Sequence, residues 1–146
     1  MSLRIGQAGL GEWGRNLARN FADLAELAWI SDPAEGKRDE FSPRYPQARW
    51  AESFEEMLDD PALDAVVVAT PVPTHYELAT QALQAGKHVF VEKPPAMTGS
   101  EIDELVAIAE ERDLVLMPGH LLLYHPGVQK LKELIDEGAL GEVLMV

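Results

Sequence analysis

The sequence contains no cysteine. Disulfide frameworks, thiolate metal sites and cysteine nucleophiles are therefore excluded, and no metal site is expected. Long apolar runs are missing too. None approaches the roughly 18 residues of a membrane-spanning helix, and the start, MSLRIGQAG, has no signal-type apolar core. A soluble, cytoplasmic protein with no membrane partner is expected. Positive charge is scarce: 12 Lys plus Arg stand against 25 Asp plus Glu, a net charge of −13. Nucleic acids and anionic surfaces need basic patches, so neither is an expected partner. Anionic small molecules stay open, because backbone N–H groups can bind them locally. Internal repeats and low-complexity segments are absent, and no linker precedes about residue 120.

What is present suits one ordinary domain: 146 residues, 47% of them hydrophobic. Short apolar runs alternate with turns and amphipathic segments. Leu3–Ala8 predicts a strand, and a helix opening near Glu12 follows, with Trp13, Leu17 and Phe21 four apart on one face. Glu26–Ser31 predicts a second strand, Pro33–Tyr45 a short helix or loop, and Arg49–Trp50 a short strand. Ser53 with Glu56, and Thr74 with Glu77, have capping-box spacing and predict helices to about Asp60 and Gly86. Between them Ala65–Thr70, AVVVAT, is apolar on both faces, as a central parallel strand covered on two sides would be. His88–Val91 and Leu114–Met117 predict two more strands, flanking a helix capped by Thr98 or Ser100 that carries Ile102, Leu105, Val106 and Ala109. The alternation predicts an α/β fold with a doubly wound parallel sheet, a Rossmann domain over residues 1–122.

The tail changes character. Pro126–Glu137 predicts a helix with Val128, Leu131, Leu134 and Ile135 facing inward, and EVLMV predicts a new strand. Residues 123–146 are thus expected to open a second α/β unit. A further reading is that this helix and strand leave an apolar edge open to pairing. Separately, a homo-oligomer is expected at full length.

Gly9, Gly11 and Gly14 have the spacing G-x-G-x-x-G, between the first strand and the first helix. In that context Gly9 permits the tight turn, Gly11 lets backbone approach a pyrophosphate, and Gly14 lets the helix pack against the sheet. Leu10, Glu12 and Trp13 complete the loop whose N–H groups face the phosphates. Asp32, 18 residues after Gly14 at the second strand's end, can accept both ribose hydroxyls and would repel a 2′-phosphate. NAD is therefore favoured. Lys37, Arg38 and Arg44 follow closely. As a solvated loop they are bystanders; folded over the adenosine they would admit NADP.

Two further segments end strands where ligands bind in open α/β sheets. In ATPVPTHYELA, Thr70, Pro71 and His75 are expected to touch the dinucleotide, His75 by packing or hydrogen-bonding rather than by catalysis. In HVFVEKPPA, Glu92 and Lys93 stand at a strand end before Pro94, where both are expected to touch the cofactor. Lys93, made ready to lose its proton by burial or by a nearby cation, could take the hydroxyl proton as hydride leaves carbon. The Lys93–Pro94 bond is a candidate for cis.

GLGEWG, ATPVPTH, EKP and the Gly119–His120 pair, in this order and spacing, resemble the Gfo/Idh/MocA oxidoreductases, and the match runs from Arg4 to GALGEV. The resemblance implies a Rossmann domain followed by a larger α/β domain. It implies NAD or NADP used to oxidise or reduce sugars, inositols or nucleotide sugars at a secondary alcohol. The family's EKP lysine maps onto Lys93, with a role in binding and proton transfer, and its phosphate-binding glycines map onto Gly9, Gly11 and Gly14. GHLLLYHPGVQKLKELI is similar to a branch acting on UDP-N-acetylhexosamine-type sugars; there His120, Tyr124 and His125 are substrate-side or packing residues. The family's further Asp and His would lie beyond Val146, so NAD(H) binding with little turnover is expected of this chain. A non-catalytic NAD(H)-binding or redox-sensing domain is the alternative.

Overall fold

A computed structural model describes residues 2–144. Six strands, β1 (Arg4–Ala8), β2 (Glu26–Ser31), β3 (Arg49–Trp50), β4 (Ala65–Val68), β5 (His88–Val91) and β6 (Leu116–Pro118), form a sheet of order β3-β2-β1-β4-β5-β6. Every neighbouring pair is parallel. The helices are α1 (Gly14–Leu24), α2 (Lys37–Phe41), α3 (Phe54–Leu58), α4 (His75–Gln84), α5 (Gly99–Glu111) and α6 (Pro126–Asp136). This is the doubly wound Rossmann sheet that the alternation predicts. Strand order reverses between β1 and β4, so a crevice opens beyond their carboxyl ends.

β4 shows why the sheet is covered on both sides. Val66 and Val68 pack with Met57, Ala79, Leu83 and Leu105 of α3, α4 and α5. Val67 points the other way and packs with Ile5 of β1 and Leu17 of α1. All three valines are buried, at about 2 kcal/mol each relative to exposure. Phe21 of α1 closes that second face edge-to-face on Phe90 of β5, ring centroids 5.6 Å apart.

Several local expectations need correction. α1 begins at Gly14, so Trp13 precedes the helix and is 45% exposed instead of sharing the face of Leu17 and Phe21. Thr74 does not cap α4 by its side chain. A 3-10 turn over Val72–Thr74, set by Pro71 and Pro73, keeps Thr74 helical, and its hydroxyl donates to Pro71 O at 2.8 Å. Ser53 does accept the Glu56 N–H, but the Glu56 carboxylate accepts from Glu52 rather than Ser53. The full capping box belongs to Thr98 and Glu101 on α5, where Ile102 and Val106 face outward.

α6 forms as expected but buries none of its residues. Val128 and Leu131 are exposed, and Leu134 and Ile135 only half-buried. Of the strand expected at EVLMV, residues 142–144 are not a strand, and Met145 and Val146 lie outside the described residues. No helix among the described residues is long and apolar enough to cross a membrane.

Candidate functional site

The crevice at the strand reversal holds the glycine loop. Gly9 has φ 93°, and a Cβ there would lie 2.3 Å from Ala69 O beyond β4, so only glycine lets the two strand ends approach so closely. A Cβ at Gly14 would lie 2.3 Å from Gly9 O, while one at Gly11 would meet nothing within 4 Å. Gly9 and Gly14 are thus required by the protein's own packing. Gly11 borders the open cleft.

The loop is held from three sides. Gly9 N–H donates to Ser31 O at 2.9 Å. Leu10 N–H donates to Asp32 Oδ2 at 2.7 Å, and Lys37 Nζ donates to Leu10 O at 3.0 Å. Beneath, the fully buried Gln7 donates from Nε2 to Gly9 O at 2.9 Å and Gly14 O at 2.7 Å. Sequence reasoning missed Gln7. Its signal is an amide between Ile5, Gly6 and Ala8 of β1, where burial demands a partner.

With Gly9 and Leu10 committed, the N–H groups of Gly11, Glu12, Trp13 and Gly14 have no protein acceptor among the described residues. Glu12 and Trp13 are exposed by side chain, so they contribute backbone here. Four free donors at the tip of an eleven-residue helix are the arrangement that seats an anion. The cleft that this loop borders through Gly9 and Gly11 measures about 1030 Å³, at the upper end of small-molecule sites, which suits a dinucleotide. Asp32, Lys37, Glu52, Thr70, Pro71 and Thr74 are among its walls. The Thr70 and Thr74 hydroxyls bond each other at 2.7 Å. Asp32 stands at the expected wall, with its oxygens accepting the N–H groups of Leu10 and Ala34 at 2.7 and 2.8 Å. Each oxygen keeps a further lone pair for a hydroxyl.

His75 and Glu92, expected to touch cofactor, are placed otherwise. The imidazole is 1% exposed, with Nδ1 2.8 Å from Pro94 O and Nε2 2.7 Å from Thr70 O. Both ring nitrogens face carbonyls, so the ring has none to offer a ligand. It ties together the loops after β4 and β5. The Glu92 carboxylate is buried beneath the site, with Oε2 accepting the Lys93 N–H at 3.1 Å and Oε1 unpartnered. It packs on Gly119, where a Cβ would lie 3.0 Å from Oε1.

Lys93 is exposed rather than buried, the Lys93–Pro94 bond is cis, and Nζ makes no ion pair among the described residues. Lys93 lines a second, apolar-walled cleft of about 640 Å³ with Pro94, Gly119, His120, Leu121 and Val128. Lys93 and His120 are therefore brought together. Tyr124 is exposed and outside that lining. His125 is the N-cap of α6, its Nδ1 accepting from Gly127 N–H at 3.1 Å.

Comparison with known proteins agrees with this geometry. UDP-N-acetylglucosamine 3-dehydrogenase of Acidithiobacillus ferrooxidans is 35% identical over 90% of this chain and 41% of its own length. The 2,7-anhydro-N-acetylneuraminate hydratase of Escherichia coli K12 is 34% identical over 97% of this chain and 38% of its own. The crystal structure of scyllo-inositol dehydrogenase from Lactobacillus casei, with bound NAD(H) and scyllo-inositol, superposes with a TM-score of 0.87 at 27% identity, covering 97% of this chain and 43% of that one. This chain thus spans about two-fifths of the length of the relatives it matches. A family model described as "Oxidoreductase family, NAD-binding Rossmann fold" matches residues 3–120, and the chain belongs to that family, Gfo/Idh/MocA.

Proposed function

We propose that this chain is the dinucleotide-binding part of an NAD(P)-dependent oxidoreductase acting on a secondary alcohol of a sugar or nucleotide sugar. Residues 1–122 carry the cofactor and residues 123–146 begin the unit that completes the substrate site. The observation that carries the reading is the set of free N–H groups at Gly11–Gly14, beneath a cleft of dinucleotide size. Gly9, Leu10 and Gln7 shape that tip, while Asp32, Thr70 and Pro71, which line the cleft, would hold the ribose and nicotinamide. The kinship with a UDP-N-acetylglucosamine dehydrogenase favours a nucleotide sugar.

Bound there, the nicotinamide supplies the hydride acceptor. Lys93 is the catalytic residue: its Nζ relays the hydroxyl proton of the alcohol as hydride leaves the carbinol carbon. His120 stands on the same wall and orients the sugar. His75 and Glu92 act on Lys93 from beneath, as positioning residues. A redox sensor would have no use for the lysine. In the full-length protein Lys93→Ala should cut kcat by about a hundredfold or more while NADH still binds. Unchanged turnover would sink the catalytic assignment.

A further inference from the structure

We propose that Glu52 sets the preference between NAD and NADP, by engaging the Arg38 guanidinium that would otherwise pair with a phosphate at the adenosine ribose. This deepens the dinucleotide reading of the glycine-loop cleft and rests on it.

The corner of the cleft beside Asp32 is walled by Pro33, Ala34 and Lys37 from the segment after β2, and by Glu52 and Ser53 from the segment after β3. A 2′-phosphate in that corner would carry about −1.5 to −2 charges. It would need a guanidinium or ammonium to pair with. Two cations are near, and both are spent. Lys37 Nζ donates to Leu10 O at 3.0 Å and lies 3.7 Å from the Glu40 carboxylate. Arg38, one residue on, does not line the cleft, and its Nη1 pairs with Glu52 Oε1.

Glu52 has its backbone fixed beside the corner. Its backbone N–H donates to Glu56 Oε2 at 2.8 Å, and the next residue, Ser53, caps α3. The wall therefore presents two carboxylates, Asp32 and Glu52, with no uncommitted cation among the lining residues. Asp32 has a second task in holding the loop, so its removal damages the site. Glu52 has no bond to the loop, and its pair with Arg38 is more than half exposed on both sides. Exposed pairs add little to folding. Removing the Glu52 charge frees a guanidinium next to the ribose corner at small structural cost.

The test is fluorescence titration with NADH and with NADPH of the unaltered chain, of Glu52→Gln, and of Glu52→Gln combined with Arg38→Gln. The ratio of the NADPH to the NADH dissociation constant should fall about tenfold in Glu52→Gln, one new charge-assisted contact. The double variant should lose most of that gain. A ratio unmoved by Glu52→Gln, or a gain that survives Arg38→Gln, would overturn the proposal while NADH binding upheld the underlying reading. Absence of NADH binding by the unaltered folded chain would overturn both.

Discussion

The backbone N–H of Leu10 donates to Asp32 Oδ2 at 2.7 Å, so the carboxylate at the end of β2 fastens the glycine loop at the end of β1. Asp32 is part of the protein's own scaffold before any ribose reaches it. Asp32→Ala should therefore cost stability as well as cofactor. Leaving the Leu10 and Ala34 N–H groups without this acceptor should cost about 1–3 kcal/mol, a Tm lower by several degrees. NADH affinity should fall at least about tenfold. Calorimetry checks the first half: an unchanged Tm would mean that the loop holds itself.

The three glycines should separate into two behaviours. At Gly14 the added methyl meets Gly9 backbone at 2.3 Å, so Gly14→Ala should lower Tm strongly with or without NADH. At Gly11 it meets nothing within 4 Å, so Gly11→Ala should fold with an unchanged Tm and lose the stabilisation that NADH confers. Thermal unfolding of both variants, with and without NADH, decides. Equal NADH stabilisation of Gly11→Ala and the unaltered chain would remove the phosphate from that corner.

Salt should act in an unusual direction. The chain carries a net charge of −13, and four of the five charged residues lining the large cleft are carboxylates. An anionic dinucleotide is repelled at long range and held at short range by N–H groups. Raising salt from about 10 mM to about 150 mM shortens the screening length from roughly 30 Å to 8 Å. The NADH dissociation constant should fall over that range. A rise, as at a basic site, would contradict the account.

Away from the site, Asp60 sits at the edge from which β1, β4 and β5 begin. The Trp29 indole N–H donates to it at 2.8 Å and the Ala62 N–H at 2.9 Å. These hydrogen bonds, foremost that of Trp29, with help from Arg4 and Lys87, hold its carboxyl below the ordinary 3.8. A lowered folded value stabilises the fold above the unfolded one and is lost as pH falls through it. Asp60→Asn should therefore lose Tm relative to the unaltered chain well above pH 3.8, with the gap narrowing as pH falls below it. Parallel Tm curves down to pH 2 would refute this.

Much of this was legible in the residues. The β4 run is apolar at every position because helices cover both its faces, and the glycine spacing identifies the strand-end loop because Gly9 and Gly14 admit no Cβ. The supports of that loop were not legible. Gln7 and Lys37 act on backbone carbonyls of that loop, and His75 on those of the loops after β4 and β5, and such carbonyls have no sequence signature. Thr74 misled because two prolines imposed a 3-10 turn ahead of the helix. The apolar stripe of α6 was readable, but the described residues bury none of it.

The most direct test of the central claim is a fluorescence titration of the folded 146-residue chain with NADH. Saturable binding below millimolar cofactor, weakened by Gly11→Ala at unchanged Tm, is the predicted result. A folded chain that leaves NADH emission unaltered at millimolar concentration would contradict it.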